Sequence, residues 1–164
     1  MERQVRHTAH VKRSLVAICE EFERHGQSIL TRATDEAGSH ADRLILRMDQ
    51  MIPCFDPEET VTIVASPMER RGPETAAMKL DWRSAKRQRI LSNLDAELVL
   101  HAVIQSGSQA TTAVSVIGRF VPPPGLRGWI EQTLLSRRVV EEVVGAFVDA
   151  VADMLDAQIE LRKA

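Results

Sequence analysis

Six stretches of the chain alternate apolar and polar residues, which is the pattern of a strand with one dry face and one wet face. In 3–12, Val5, His7, Ala9 and Val11 oppose Arg6, Thr8, His10 and Lys12. In 42–49, Leu44, Leu46 and Met48 oppose Arg43, Arg47 and Asp49. Val61, Ile63 and Ala65 alternate with threonines in 59–66, and Ala76, Met78, Leu80 and Trp82 with Lys79, Asp81 and Arg83 in 75–84. Ala96, Leu98 and Leu100 oppose Glu97 and His101 in 95–103, and Val114, Val116, Gly118 and Phe120 oppose Ser115 and Arg119 in 111–121. Ile45, Val64, Val99 and Ile117 fall on the nominally wet face. Strands with one dry face predict an antiparallel sheet covered on one side, because parallel βα units would show fully apolar strands alternating with helices.

Helical spacing flanks this run. Ser14 is placed to cap a helix carrying Leu15, Ile18, Cys19 and Phe22 on one face. His25–Gly26 reads as its stop, and a second short helix is expected over 27–37, ending at Gly38. After the break at Pro122, Pro123, Pro124 and Gly125, three- and four-residue steps join Ile130, Leu134, Val140, Val144, Phe147, Val151 and Leu155. A helix over 126–162 would be about 55 Å long, so a break is expected near Leu135–Arg138, around Ser136. The proline-bearing loops 50–58 and 67–74 are candidate rims of a cavity.

Composition narrows the class. The 164 residues suit one domain, 1–164, with a real core, and the formal net charge of −2 gives no global field directed at nucleic acid. Two cysteines, Cys19 and Cys54, make no disulfide framework. The polar start MERQVRHTAHVKR is unlike a signal peptide, and no apolar run is long enough to span a membrane, so a cytoplasmic location is expected.

The order strand, two helices, strand meander, long C-terminal helix resembles the START-like superfamily, also called SRPBCC or helix-grip. The residues that carry the resemblance are 112–147, TAVSVIGRFVPPPGLRGWIEQTLLSRRVVEEVVGAF, which look like the last strand and final helix of its bacterial polyketide cyclase/dehydrase-like branch. MKLDWRSA (78–85) and LDAELVLHAV (94–103) look like meander strands. The resemblance implies an α+β fold in which a curved antiparallel sheet of six or seven strands wraps a long C-terminal helix and leaves a deep cavity. Superfamily members hold lipids, polyketides or aromatic molecules there; some are cyclases, some carriers, and some act on proteins or ribosomes. A seventh strand would have to lie in 50–58 or 86–92.

The side chains expected to line such a cavity are Met78, Leu80, Trp82, Leu98, Leu100, Val116, Phe120, Trp129, Val140, Val144, Phe147 and Val148. His7 is the one ionisable side chain on the dry faces, which makes it the candidate general base and otherwise an edge-strand residue with its ring partly in water. His7 and His10 fall on opposite strand faces, which excludes a metal pair, and no Cys/His cluster has zinc spacing. No phosphate loop or nucleophile elbow is present, and no metal or cofactor is expected. Gly145 is read as a point of close packing between the final helix and the sheet. The basic run Arg83, Lys86, Arg87 and Arg89 could meet RNA phosphates or an acidic protein, but no aromatic residue is interleaved for base stacking. The expected partner is an apolar small molecule bound without catalysis, with a cyclase-like enzyme or an interaction module as alternatives. DNA is not expected, and a homodimer is compatible with the pattern.

Overall fold

The computed structural model describes residues 3–47, 61–83, 91–103, 110–121 and 134–163. The elements run β1 (Arg3–Val11), α1 (Leu15–Arg47), β2 (Thr62–Ala65), β3 (Glu69–Arg70), β4 (Thr75–Arg83), a 3₁₀ turn (Leu91–Asn93), β5 (Leu94–Val103), β6 (Thr111–Phe120) and α2 (Leu134–Lys163). All pairings are antiparallel. The strand order is β1-β6-β5-β4-β2, with β3 also on β4, so six strands form one sheet among the described residues.

The alternation sets the register. Val5, Val116 and Leu98, with Leu80, Trp82 and Phe120, are all buried on the inner face. Val64 and Ile117, the apolar residues placed on the wet face, are exposed, at 47% and 42%. The outer face holds cross-strand ion pairs, Arg71–Glu97 and Arg119–Asp95, with Thr8 and Ser115 hydroxyls bonded at 2.8 Å. Helix α2 packs on β1 and β6, and α1 packs on α2 and β2, so together the helices cover the inner face from one sheet edge to the other.

Ser14 caps α1 as expected, its Oγ accepting the Ala17 N–H at 3.2 Å. The stop at His25–Gly26 is instead a kink. His25 leaves helical geometry (φ −132°, ψ 15°) and the helix resumes. Gly26 does not take the positive φ that a glycine stop uses, and the His25 Nδ1 bonds across the kink to Glu21 Oε1 at 2.8 Å. The strand expected at 42–49 is also corrected, because α1 runs on to Arg47. Ala33, Ala37 and Ala41 are buried and Leu44 is packed against the core, which continues a helical stripe through that segment. The break expected near Ser136 is absent: α2 is continuous from Leu134 for 30 residues, about 45 Å. The loop 50–58 and residues 126–133 lie outside the described residues.

Candidate functional site

The expected cavity residues converge on one buried region, and Met78 among them also lines a groove. Met78, Leu80, Trp82, Leu98, Leu100, Val116, Phe120, Val140, Val144, Phe147 and Val148 are all buried between the sheet and the helices. Leu98, Leu100 and Val148 are at 0% and Val116, Val144 and Phe147 at 1%. Side chains this buried pack against their neighbours as in an ordinary protein interior. Trp82 and Phe147 meet edge to face at 5.2 Å, and the Trp82 indole N–H donates to Thr34 Oγ1 at 3.1 Å. Trp129 lies outside the described residues.

Concave surface is found beside the kink of α1. A groove of about 380 Å³ runs between α1 and the sheet edge, lined by Phe22, Glu23, Gly26, Gln27, Leu30, Ala65, Ser66, Pro67, Met68 and Met78. Two local features open it. The first is the α1 kink at His25, next to Gly26. The second is a β-bulge. Ala65 pairs with Leu80 and Ser66 N–H donates to Lys79 O at 3.0 Å, whereas Glu69 pairs with Ala77. Pro67 and Met68 therefore oppose the single residue Met78. Proline has no N–H for the ladder, which explains why the edge strand is interrupted there. Phe22, Leu30, Ala65, Pro67, Met68 and Met78 supply apolar contact, with flexible thioethers on two of them. Glu23, Gln27 and Ser66 supply the polar atoms, and Gln27 ties α1 to β2 by donating to Ile63 O at 3.1 Å. The loop 67–74, read from sequence as a rim, contributes Pro67 and Met68.

On the outer side of the same bulge lies a second concavity of about 450 Å³, which shares Ser66, Pro67, Met68 and Met78 and adds Glu69, Arg71, Ala77 and Lys79. Arg71 reaches across β4 to Glu97 of β5, with nitrogen–oxygen distances of 2.6 and 3.3 Å. The hydrogen bond from Arg71 holds the Glu97 carboxyl below its ordinary value, and the same bond raises Arg71.

His7 sits at the opposite edge of the sheet. Four strand spacings separate β1 from β2, roughly 19 Å along a flat sheet. Its Nε2 is 3.3 Å from Asp149 Oδ1 on α2, and both side chains are partly in water, at 37% and 61%. Gly145 is the packing point expected of it, since a Cβ there would stand 3.2 Å from two atoms of the His7 ring. Sequence reasoning missed Glu21, a carboxylate with 1% exposure on α1. It looks like one more surface acid in the run Glu20, Glu21, Glu23. Of the basic run, Arg83 is bonded to Asp81 at 2.8 Å, and Lys86, Arg87 and Arg89 lie outside the described residues. Among the described residues no cluster of His, Cys, Asp or Glu could hold a metal ion, and no helix is long and apolar enough to cross a membrane.

The C-terminal helix is laid across the inner face of an antiparallel sheet, which is the α+β helix-grip architecture. No family model matches the chain, and no curated protein matches it. Among solved structures it is similar to the Zhui aromatase/cyclase from Streptomyces sp. R1128, with 12% identity over 97% of this chain and 96% of that one and a TM-score of 0.40. It is also similar to TTHA0849 from Thermus thermophilus, with 10% identity over 95% and 99% and a TM-score of 0.36. Norcoclaurine synthase from Thalictrum flavum matches with 9% identity over 97% of both chains and a TM-score of 0.33. Scores of this size leave the fold assignment resting on the chain's own topology.

Proposed function

We propose that the protein binds an apolar small molecule, a lipid, polyketide or aromatic compound, without transforming it, and that the binding site is the groove between α1 and the bulged sheet edge. The observation that carries this reading is the groove itself: about 380 Å³, above the roughly 300 Å³ at which ligand pockets begin, with Phe22, Leu30, Pro67, Met68 and Met78 on its walls. Met78 links it to the inner-face residues expected from the sequence to contact the ligand. The few polar atoms along it, from Glu23, Gln27 and Ser66, orient a bound molecule more readily than they react with it.

The test is extraction of the purified protein followed by native mass spectrometry, on wild type and Gly26→Leu. A Cβ at Gly26 would meet Phe22 at 3.5 Å, an ordinary contact, so the leucine can fill the groove without disturbing the backbone. A bound apolar compound in wild type and a loss of occupancy in the variant are expected. Equal occupancy in the two would refute this location.

A second reading, cyclase-like catalysis, is favoured by one observation, the carboxylate beside His7. Asp149 would orient the imidazole as a base. His7 faces α2 at the far sheet edge, so such a reaction would need its own substrate position. Unchanged turnover in His7→Ala would dismiss it.

A further inference from the structure

We infer that residues 66–71 form a movable strap over the groove, latched by the Arg71–Glu97 ion pair; the strap's role as a gate rests on the binding reading above. The strap is the thin wall between two concavities, and Ser66, Pro67, Met68 and Met78 face both. Lifting it would join the apolar groove to the outer concavity and make room for an elongated ligand.

The strap is held by two ladder pairs, Glu69 with Ala77 and Arg70 with Ala76, by the Arg70 guanidinium donating to Pro73 O at 3.1 Å, and by contacts at its two ends. At one end Ser66 clamps Lys79 through two bonds, Ser66 N–H to Lys79 O at 3.0 Å and Lys79 N–H to Ser66 Oγ at 2.8 Å. The middle has no ladder bond from Pro67, and β3 is only two residues long. At the far end Arg71 N–H donates to Thr75 O at 2.9 Å, and the Arg71 guanidinium makes its two-pronged contact with Glu97. Gly72 follows with φ +141°, a conformation that side-chain-bearing residues rarely adopt, and nothing within 4 Å of where a Cβ would stand. The short bulged edge strand and the glycine that follows Arg71 are where the strap would pivot. Ala77, which borders the outer concavity together with Arg71, is at 1% exposure although it faces outward. Because the latch is in contact with water, at 43% and 33% exposure, salt weakens it, unlike a buried pair.

Arg71→Gln and Glu97→Gln test the latch, with Arg119→Gln as a control that removes a different outer-face ion pair, Arg119–Asp95. Hydrogen exchange at the amides of Met68, Glu69, Arg70 and Arg71 should rise by about two- to fivefold in either latch variant, the range an exposed ion pair supports, and stay unchanged in the control. Stopped-flow association of anilinonaphthalene sulfonate with the groove should speed up by a similar factor. About 1 M salt should reproduce both effects in wild type and add nothing in the latch variants. Unchanged exchange in the latch variants overturns the strap, and faster exchange with unchanged association overturns its role as a gate. If wild type takes up no probe, the binding reading is what fails, and exchange alone then decides whether the strap moves.

Discussion

Gly118 should be the least replaceable glycine of the sheet. It lies on β6 opposite Val5 of β1 and Ala96 of β5, at the point where the inner face closes most tightly. A Cβ at 118 would stand 2.7 Å from the Ala96 Cβ, 2.8 Å from the Asp95 carbonyl oxygen and 3.1 Å from the Ala96 Cα. Facing Cβ atoms in an antiparallel pair normally sit about 4.5–5.5 Å apart, and carbon contacts are optimal at about 3.5–4.0 Å. The two strands would have to part by about 1 Å in the middle of the sheet, against fixed backbone and a methyl group with no rotamer to change. Overpacking of this kind costs about 1–3 kcal/mol, and removing a strand glycine returns about 0.5–1 kcal/mol. The expected net loss for Gly118→Ala is about 1 kcal/mol, a fall in Tm of about 2–4 °C for a chain of this size. Thermal unfolding followed by far-UV circular dichroism measures it. Adding Ala96→Gly removes the methyl contact but not the carbonyl contact, so the double variant should recover only part of the loss. A Gly118→Ala protein as stable as wild type would refute the claim that the close approach to Ala96 and Asp95 leaves no room for a Cβ.

Three further outcomes follow from the same geometry. Trp82→Phe removes the bond to Thr34 and part of the contact with Phe147, and should cost about 1–3 kcal/mol in urea unfolding; a change below about 0.5 kcal/mol would show that the indole nitrogen contributes nothing. Gly145→Ala gains up to about 1 kcal/mol of helix propensity and pushes the His7 ring, so stability should stay within about 1 kcal/mol of wild type while the His7 ring resonances shift; unmoved resonances would contradict the packing. Glu97 has a folded-state value lowered by Arg71, so its contribution is present above the unfolded value of about 4.5 and is lost as pH falls through the lower folded value. The stability gap between wild type and Glu97→Gln should therefore be constant at pH 6–7 and close below about pH 4.5, and a gap independent of pH would show that the ion pair adds no stability.

Much of the sheet was legible because alternation is a direct record of a one-sided face. β1, β2, β4, β5 and β6 each lie within one of the alternating segments or within one residue of it. The errors have physical causes. Three apolar residues on alternate positions in 42–49, with Ile45 between two of them, carry too little information to distinguish a strand from the end of a helix. Buried Ala33, Ala37 and Ala41 went uncounted because alanine looks neutral in a hydrophobic stripe. His25–Gly26 carries the chemistry of a helix stop, but the His25–Glu21 bond and continued packing hold the chain in a bent helix. Half of the candidate site was also readable, since Pro67 marks a place where an edge strand must open. The other half was not: Phe22 and Leu30 have the spacing of ordinary core residues, and only the kink turns them toward a groove.

The groove stands at the sheet edge, beside a centre occupied by large side chains. Trp82 from the sheet and Phe147 from α2 meet edge to face at 5.2 Å, and Val148 is fully buried, so large side chains from two directions occupy the centre of the grip. At the border α1 bends at His25 and the sheet edge bulges at Pro67 and Met68. Bend and bulge face each other across Met78, and the space they leave is the groove. Straightening either one should therefore close the groove without loosening the centre.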